Sequence, residues 1–119
     1  MTIFRLSALL ELLTGIALLL VPGTVLGLIV DVEPDQINTA LSRLCGVALV
    51  SLALASGAVD LGGSNRRSAL GLITYNLGVG LLFAALHFSG IEKGLLFWPI
   101  AALHALVGCL MVLGGRLRY

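Results

Sequence analysis

The stretch ALGLITYNLGVGLLFAALHF, residues 69–88, runs for 20 residues without an Asp, Glu, Lys or Arg. A helix needs about 20 predominantly apolar residues to cross a bilayer core about 30 Å thick. Three further blocks share this character, at residues 3–30, 37–59 and 95–113, and the charges sit almost entirely between them. Of the 119 residues, 59% are hydrophobic and 11% charged, where a soluble domain carries about 25% charged residues. The pattern predicts an all-α membrane protein with four transmembrane helices in an up-down-up-down bundle. It is one domain over residues 1–119, with spans near 3–21, 37–60, 66–88 and 95–114. The lipid bilayer is then the main partner. The length leaves no room for a soluble catalytic or nucleic-acid-binding module. A formal charge of +1 points to no polyanionic partner, so no nucleic acid is expected.

Local signals place the helix ends. Val21-Pro22-Gly23 stops the first helix, because proline lacks a donor and disfavours helix in the residue before it. Residues 23–32 are apolar but too short to span again, and are expected as a short interfacial helix or corner. Glu33-Pro34-Asp35-Gln36 starts the second helix, with proline in its first turn and acids at the positive end of the dipole. That helix is expected to run to about Asp60, before Gly62-Gly63. Ser64 or Asn65 caps the third, Ser89-Gly90 turns the chain, and the fourth begins near Gly94, with Pro99 in its first turns. The first block reads as a retained helix rather than a signal peptide, since its apolar run is too long. Connections this short make sequential helices antiparallel neighbours. Small-residue stripes at Ala53/Gly57, Gly71/Tyr75/Gly78 and Ala101/Ala105/Cys109 read as packing seams. Cys45 and Cys109 read as free thiols packed like small hydrophobes.

Orientation follows from the basic residues. Arg5, Arg66, Arg67, Arg116 and Arg118 fall on one side of a four-span chain, opposite Asp31, Glu33, Asp35 and the Glu92–Lys93 pair. Positive charge near span ends favours the cytoplasm, so both termini are expected there, in a bacterial inner membrane. Trp98 and Tyr119 suit the two interfaces.

Five polar residues fall within the spans: Glu11, Arg43, Tyr75, Asn76 and His104, with Ser7 and Thr14 flanking Glu11 on its own face. A charge at a helix centre costs on the order of 2.5–3.5 kcal/mol, so all five are expected to point inward as one polar layer fed by all four helices. Glu11 and Arg43 form the opposite-sign pair within the spans. Two readings stay open. The layer fixes helix register, or it lines a cavity that binds a ligand or relays a proton, with Glu11 or His104 titrating. His87 lies near the outer end of its helix and reads as interfacial, at a different depth from His104, which argues against haem. No metal site is expected, since His104 lacks a second ligand. No phosphate loop, nucleophile elbow or metalloprotease motif occurs, so neither enzymatic activity nor a cofactor is expected.

Glu11-x-x-Thr14-Gly15 with Pro22, Arg43-x-x-Gly46, Tyr75-Asn76, Trp98-Pro99 and His104 together resemble the DoxX-like group of small four-span bacterial membrane proteins. That resemblance implies a four-helix bundle, and some of the group are linked to quinone- or thiol-related redox chemistry. Glu11 with Gly15, and Gly78-Val79-Gly80, are similar to the small multidrug resistance exporters, which implies proton-coupled transport through a membrane-embedded glutamate. The chain departs from that family in carrying Arg43. The leading expectation is a non-enzymatic accessory or assembly subunit, or small-ligand binder, within a homo-oligomer or larger membrane complex. Proton-coupled transport is the alternative.

Overall fold

A computed structural model describes residues 3–31, 33, 35–58, 66–90 and 93–116. They form five helices: α1 (Ile3–Leu20), α2 (Pro22–Val30), α3 (Gln36–Ala55), α4 (Arg66–Phe88) and α5 (Phe97–Arg116). No strand occurs among the described residues. Four of the helices, all but α2, are long and apolar enough to cross a membrane. At 1.5 Å per residue they measure roughly 27–35 Å.

The breaks have local causes. Val21 N–H still donates to the Ala17 carbonyl at 2.8 Å, and Pro22 then opens α2 with no donor to lose. Asp31 ends α2 at φ +45°, a left-handed conformation that a short polar side chain tolerates. Of the expected short segment, the described residues through Val30 are helical. At the start of α3, the Asp35 carboxylate accepts from the Asn38 backbone N–H at 2.6 Å and from the Asn38 side-chain amide at 3.1 Å. Helix α3 begins at Gln36, so Asp35 is its cap and proline does not sit in its first turn. Pro34 itself lies outside the described residues.

Helix α3 also ends earlier than its apolar pattern suggests, at Ala55 rather than near Asp60. Gly57 adopts φ +81°. Its N–H donates to Leu54 at 3.2 Å, and the N–H of Ala58 donates to Ala53 at 3.0 Å. This is the crossed pair of bonds of a glycine-closed helix end. The Ser68 hydroxyl of α4 donates to the Ala55 carbonyl at 2.9 Å and meets one more orphan acceptor. Asp60, Gly62, Gly63, Ser64 and Asn65 lie outside the described residues.

Helix α5 starts at Phe97 because the preceding backbone is engaged elsewhere. The N–H groups of Gly94 and Leu96 donate to the carbonyls of Ile29 and Leu28, at 3.1 and 2.7 Å. They close the C-terminal end of α2. A Cβ on Gly94 would strike the Leu28 and Gly27 carbonyls, so only glycine permits this approach.

Contacts concentrate in two pairs, α1 with α3 and α4 with α5, and the pairs touch each other sparingly. In the first pair the backbones meet at Gly15 and Gly46. A Cβ on either would lie within 2.9 Å of the other's carbonyl oxygen. In the second, Gly108 sits under Leu77, and Gly80 faces Ala105. The expected seams hold in part. Ala53 is fully buried, whereas Cys109 is exposed and Gly78 faces open space. At one end, Phe83, His87, Phe88, Phe97 and Trp98 stack in edge and tilted contacts, with Lys93 over the Phe97 ring.

Burial is inverted relative to a water-soluble domain. Leu13, Leu20, Ile37, Leu81 and Leu95 are exposed, while Ser7, Glu11, Ser42 and Asn76 are buried. Soluble proteins almost never bury an unpaired Glu, and they keep such contiguous apolar exteriors small.

Candidate functional site

Between the two helix pairs lies a cavity of about 400 Å³, inside the range of roughly 300–1,000 Å³ typical of small-molecule sites. Ile29 of α2 helps to line it. Most of its wall is aliphatic, and the polar groups cluster at one pole.

Helix periodicity builds that pole. Ser7, Glu11 and Thr14 are spaced four and three residues apart and so share one face of α1, and all three line the cavity. Tyr75 and Asn76 enter from α4, and His104 from α5. Asn76 is 1% exposed and Glu11 3%. The Asn76 side-chain amide donates to Ser7 Oγ at 3.0 Å and to the Leu72 carbonyl at 2.9 Å. These two bonds fix which end of the amide is nitrogen, so Oδ1 is the acceptor facing His104 Nδ1, 3.0 Å away. His104 must then carry its proton on Nδ1. The network therefore assigns the tautomer and leaves Nε2 as a lone-pair acceptor when the ring is neutral.

Glu11 has two neighbours here. Tyr75 lines the cavity beside it, close enough to interact with the carboxyl group. His104 Nδ1 lies 3.9 Å from Oε1, an ion-pair distance when His104 is protonated and too long for a hydrogen bond. The Tyr75 ring meets the His104 ring edge to face, with centroids 5.5 Å apart. Four of the five polar residues read from the sequence within the apolar spans thus converge, from α1, α4 and α5.

Arg43 is the exception, and the expected Glu11–Arg43 pair is absent. Arg43 is exposed. The buried stripe of α3 is Ser42, Gly46, Leu49 and Ala53, while Cys45, Ala48 and Leu49 line the cavity. Arg43 stands two residues from Cys45, about 200° around the helix, and so occupies nearly the opposite side. The polar layer is accordingly fed by three helices, not four, and α3 contributes Cys45 in place of Arg43.

Ser7 enters the site more centrally than its flanking position suggested, and its four-residue offset from Glu11 was the available signal. Cys45 and Cys109 are both free and both exposed, which corrects the expectation that they pack as interior hydrophobes. Cys45 opens onto the cavity. His87 belongs to the aromatic cluster with Phe88 and Trp98, apart from His104. Among the described residues no group of three or more His, Cys, Asp or Glu is arranged to hold a metal ion. No protein-family model, curated protein or solved structure matches this chain.

Proposed function

We propose that this chain is a four-span integral membrane protein that binds a small, mainly apolar ligand in a cavity between its helix pairs. The observation that carries this is the cavity itself: about 400 Å³ of largely aliphatic wall, ending in a pole where Glu11, Tyr75, Asn76, Ser7 and His104 form one connected set. A merely structural polar layer needs no empty space beside it. The inverted burial supports lipid as the surrounding solvent, because exposed leucines then face acyl chains. We infer cytoplasmic termini in a bacterial inner membrane from the basic residues at positions 5, 66, 67, 116 and 118. An accessory role beside a larger membrane complex or a second copy fits a chain with no catalytic motif. Membership of the DoxX-like group is part of this proposal. Of the motifs that suggested it, Glu11, Tyr75-Asn76 and His104 converge at the cavity, and Arg43 does not.

The test is extraction of small molecules from protein purified in native lipid, read by mass spectrometry against a cavity-filling Ala48→Phe variant. A species enriched in the wild type and lost from folded A48F is expected. Identical extracts from the two proteins would refute ligand binding. A second reading, proton-coupled transport, is favoured by one specific observation. Glu11 faces a cavity with Arg43 turned away, and among the described residues no Lys or Arg lines that cavity. Glu11→Gln then abolishes pH-driven flux in proteoliposomes, and unchanged flux removes that reading.

A further inference from the structure

We propose that the cavity selects its guest by the head group: an apolar body ending in a hydrogen-bond donor, a hydroxyl or an ammonium, and not an anion. This rests on the ligand-binding reading above and adds the chemistry of what is bound.

The inference comes from following the hydrogen atoms at the polar pole. His104 gives its Nδ1 hydrogen to Asn76 Oδ1 at 3.0 Å. Asn76 gives its two amide hydrogens to Ser7 and to the Leu72 carbonyl. The amide and imidazole hydrogens at the pole already have acceptors, and the Ser7 and Thr14 hydroxyls can each donate or accept. What remains beside them for a guest is lone pairs: the Glu11 carboxyl oxygens, and Nε2 of His104, which has no partner among the described residues. Charge points the same way. Among the described residues, Glu11 is the one acidic side chain lining the cavity, and no Lys or Arg lines it. A carboxylate or phosphate head entering here would shed its water and meet the Glu11 carboxyl group with no Lys or Arg lining the cavity to offset it, which is costly in a low-dielectric site. A hydroxyl or ammonium head would meet the acceptors it needs. Leu10, Leu18, Leu49, Val79, Phe83 and Val107 supply the wall for a hydrocarbon body.

Cys45 makes this measurable, since it is a free thiol that lines the cavity. In detergent-purified Cys109→Ser protein, alkylation of Cys45 by N-ethylmaleimide reports whether the cavity is filled. The probes are decanol, decylamine, decanoate and decyltrimethylammonium, which share one alkyl chain and differ in the head. A probe at about ten times its Kd leaves about one site in ten empty, so alkylation slows about tenfold. Decanol and decylamine are expected to protect, and decanoate and decyltrimethylammonium are not. Whichever donor protects at the lower concentration distinguishes hydroxyl from ammonium. Protection by decanoate equal to that by decanol overturns the donor rule and leaves the cavity a binding site. Protection by decyltrimethylammonium without decanol does the same, because charge alone then suffices. Protection by none of the four removes the ligand-binding reading, and this inference with it.

Discussion

Gly46→Ala tests the contact on which the first helix pair depends. A Cβ built on Gly46 falls 2.8 Å from the Gly15 carbonyl oxygen and 2.9 Å from Leu19 Cγ. Ordinary van der Waals contact begins near 3.4 Å, so α1 must retreat by 3.4 − 2.8, about 0.6 Å. The nearest obstacle is backbone and cannot rotate aside. Overpacking of this kind costs about 1–3 kcal/mol, and alanine recovers about 1 kcal/mol over glycine in a helix interior. The net expectation is a loss of up to about 2 kcal/mol. Gly78 supplies the control. A Cβ there meets nothing within 4 Å, so Gly78→Ala keeps only the propensity gain, up to about 1 kcal/mol. The assay is thermal unfolding in one detergent, followed by circular dichroism. Gly46→Ala is expected to lower Tm and Gly78→Ala to hold or raise it. A Gly46→Ala protein at least as stable as wild type would show that the helices do not meet backbone to backbone at this crossing.

Asn76→Leu leaves the Ser7 hydroxyl and the His104 Nδ1–H without their partner. At about 1–3 kcal/mol per stranded buried group it is expected to destabilise more than Ser7→Ala in the same melt. Gly94→Val breaks the two bonds that hold the end of α2 to the segment before α5. At about 1 kcal/mol each their loss raises the open population up to about thirtyfold, read as faster amide hydrogen exchange over residues 24–30, and an unchanged rate argues that these bonds do not hold the end of α2. Arg43→Gln is expected to leave the co-purifying species unchanged, because Arg43 lies across α3 from the cavity. Loss of that species in a folded R43Q protein would put Arg43 back at the site.

Depth and azimuth were not equally legible. Position along a helix follows from counting residues, so the convergence of Glu11, Tyr75, Asn76 and His104 could be anticipated once the helix ends were placed. Azimuth requires a face that differs from the others. In soluble helices the polar side faces water and supplies that contrast, but the polar residues of α3, such as Ser42 and Arg43, fall on both its buried and its exposed sides. Arg43 was therefore assigned inward by the cost of its charge alone. The small residues Ser42 and Gly46 carried the better signal, since close backbone approach requires them whatever the solvent. Helix ends were misjudged where a backbone bond rather than a propensity decides. The end of α3 at Ala55 depends on Gly57 taking a positive φ, and the late start of α5 depends on Gly94 and Leu96 donating to α2. Neither bond leaves a mark in apolar periodicity.

The site and the fold draw on the same bonds. The helix pairs α1/α3 and α4/α5 are each sealed by glycine contacts, but little backbone contact joins one pair to the other. In lipid no hydrophobic driving force presses them together. What crosses the gap at the site is polar: Ser7 to Asn76, and Glu11 beside Tyr75 and His104. A guest that satisfies Glu11 and His104 while filling the cavity would therefore add to the polar contacts that close the gap at the site, beside the Ser68–Ala55 bond at the end of α3. Occupancy then stabilises the assembled bundle by RT ln(1 + [L]/Kd), about 2.7 kcal/mol at a hundred times Kd. The same guest would leave the melting of Ala48→Phe protein unmoved, since its cavity is already filled. Ligand-induced stabilisation of equal size in both proteins would place the binding elsewhere on the bundle.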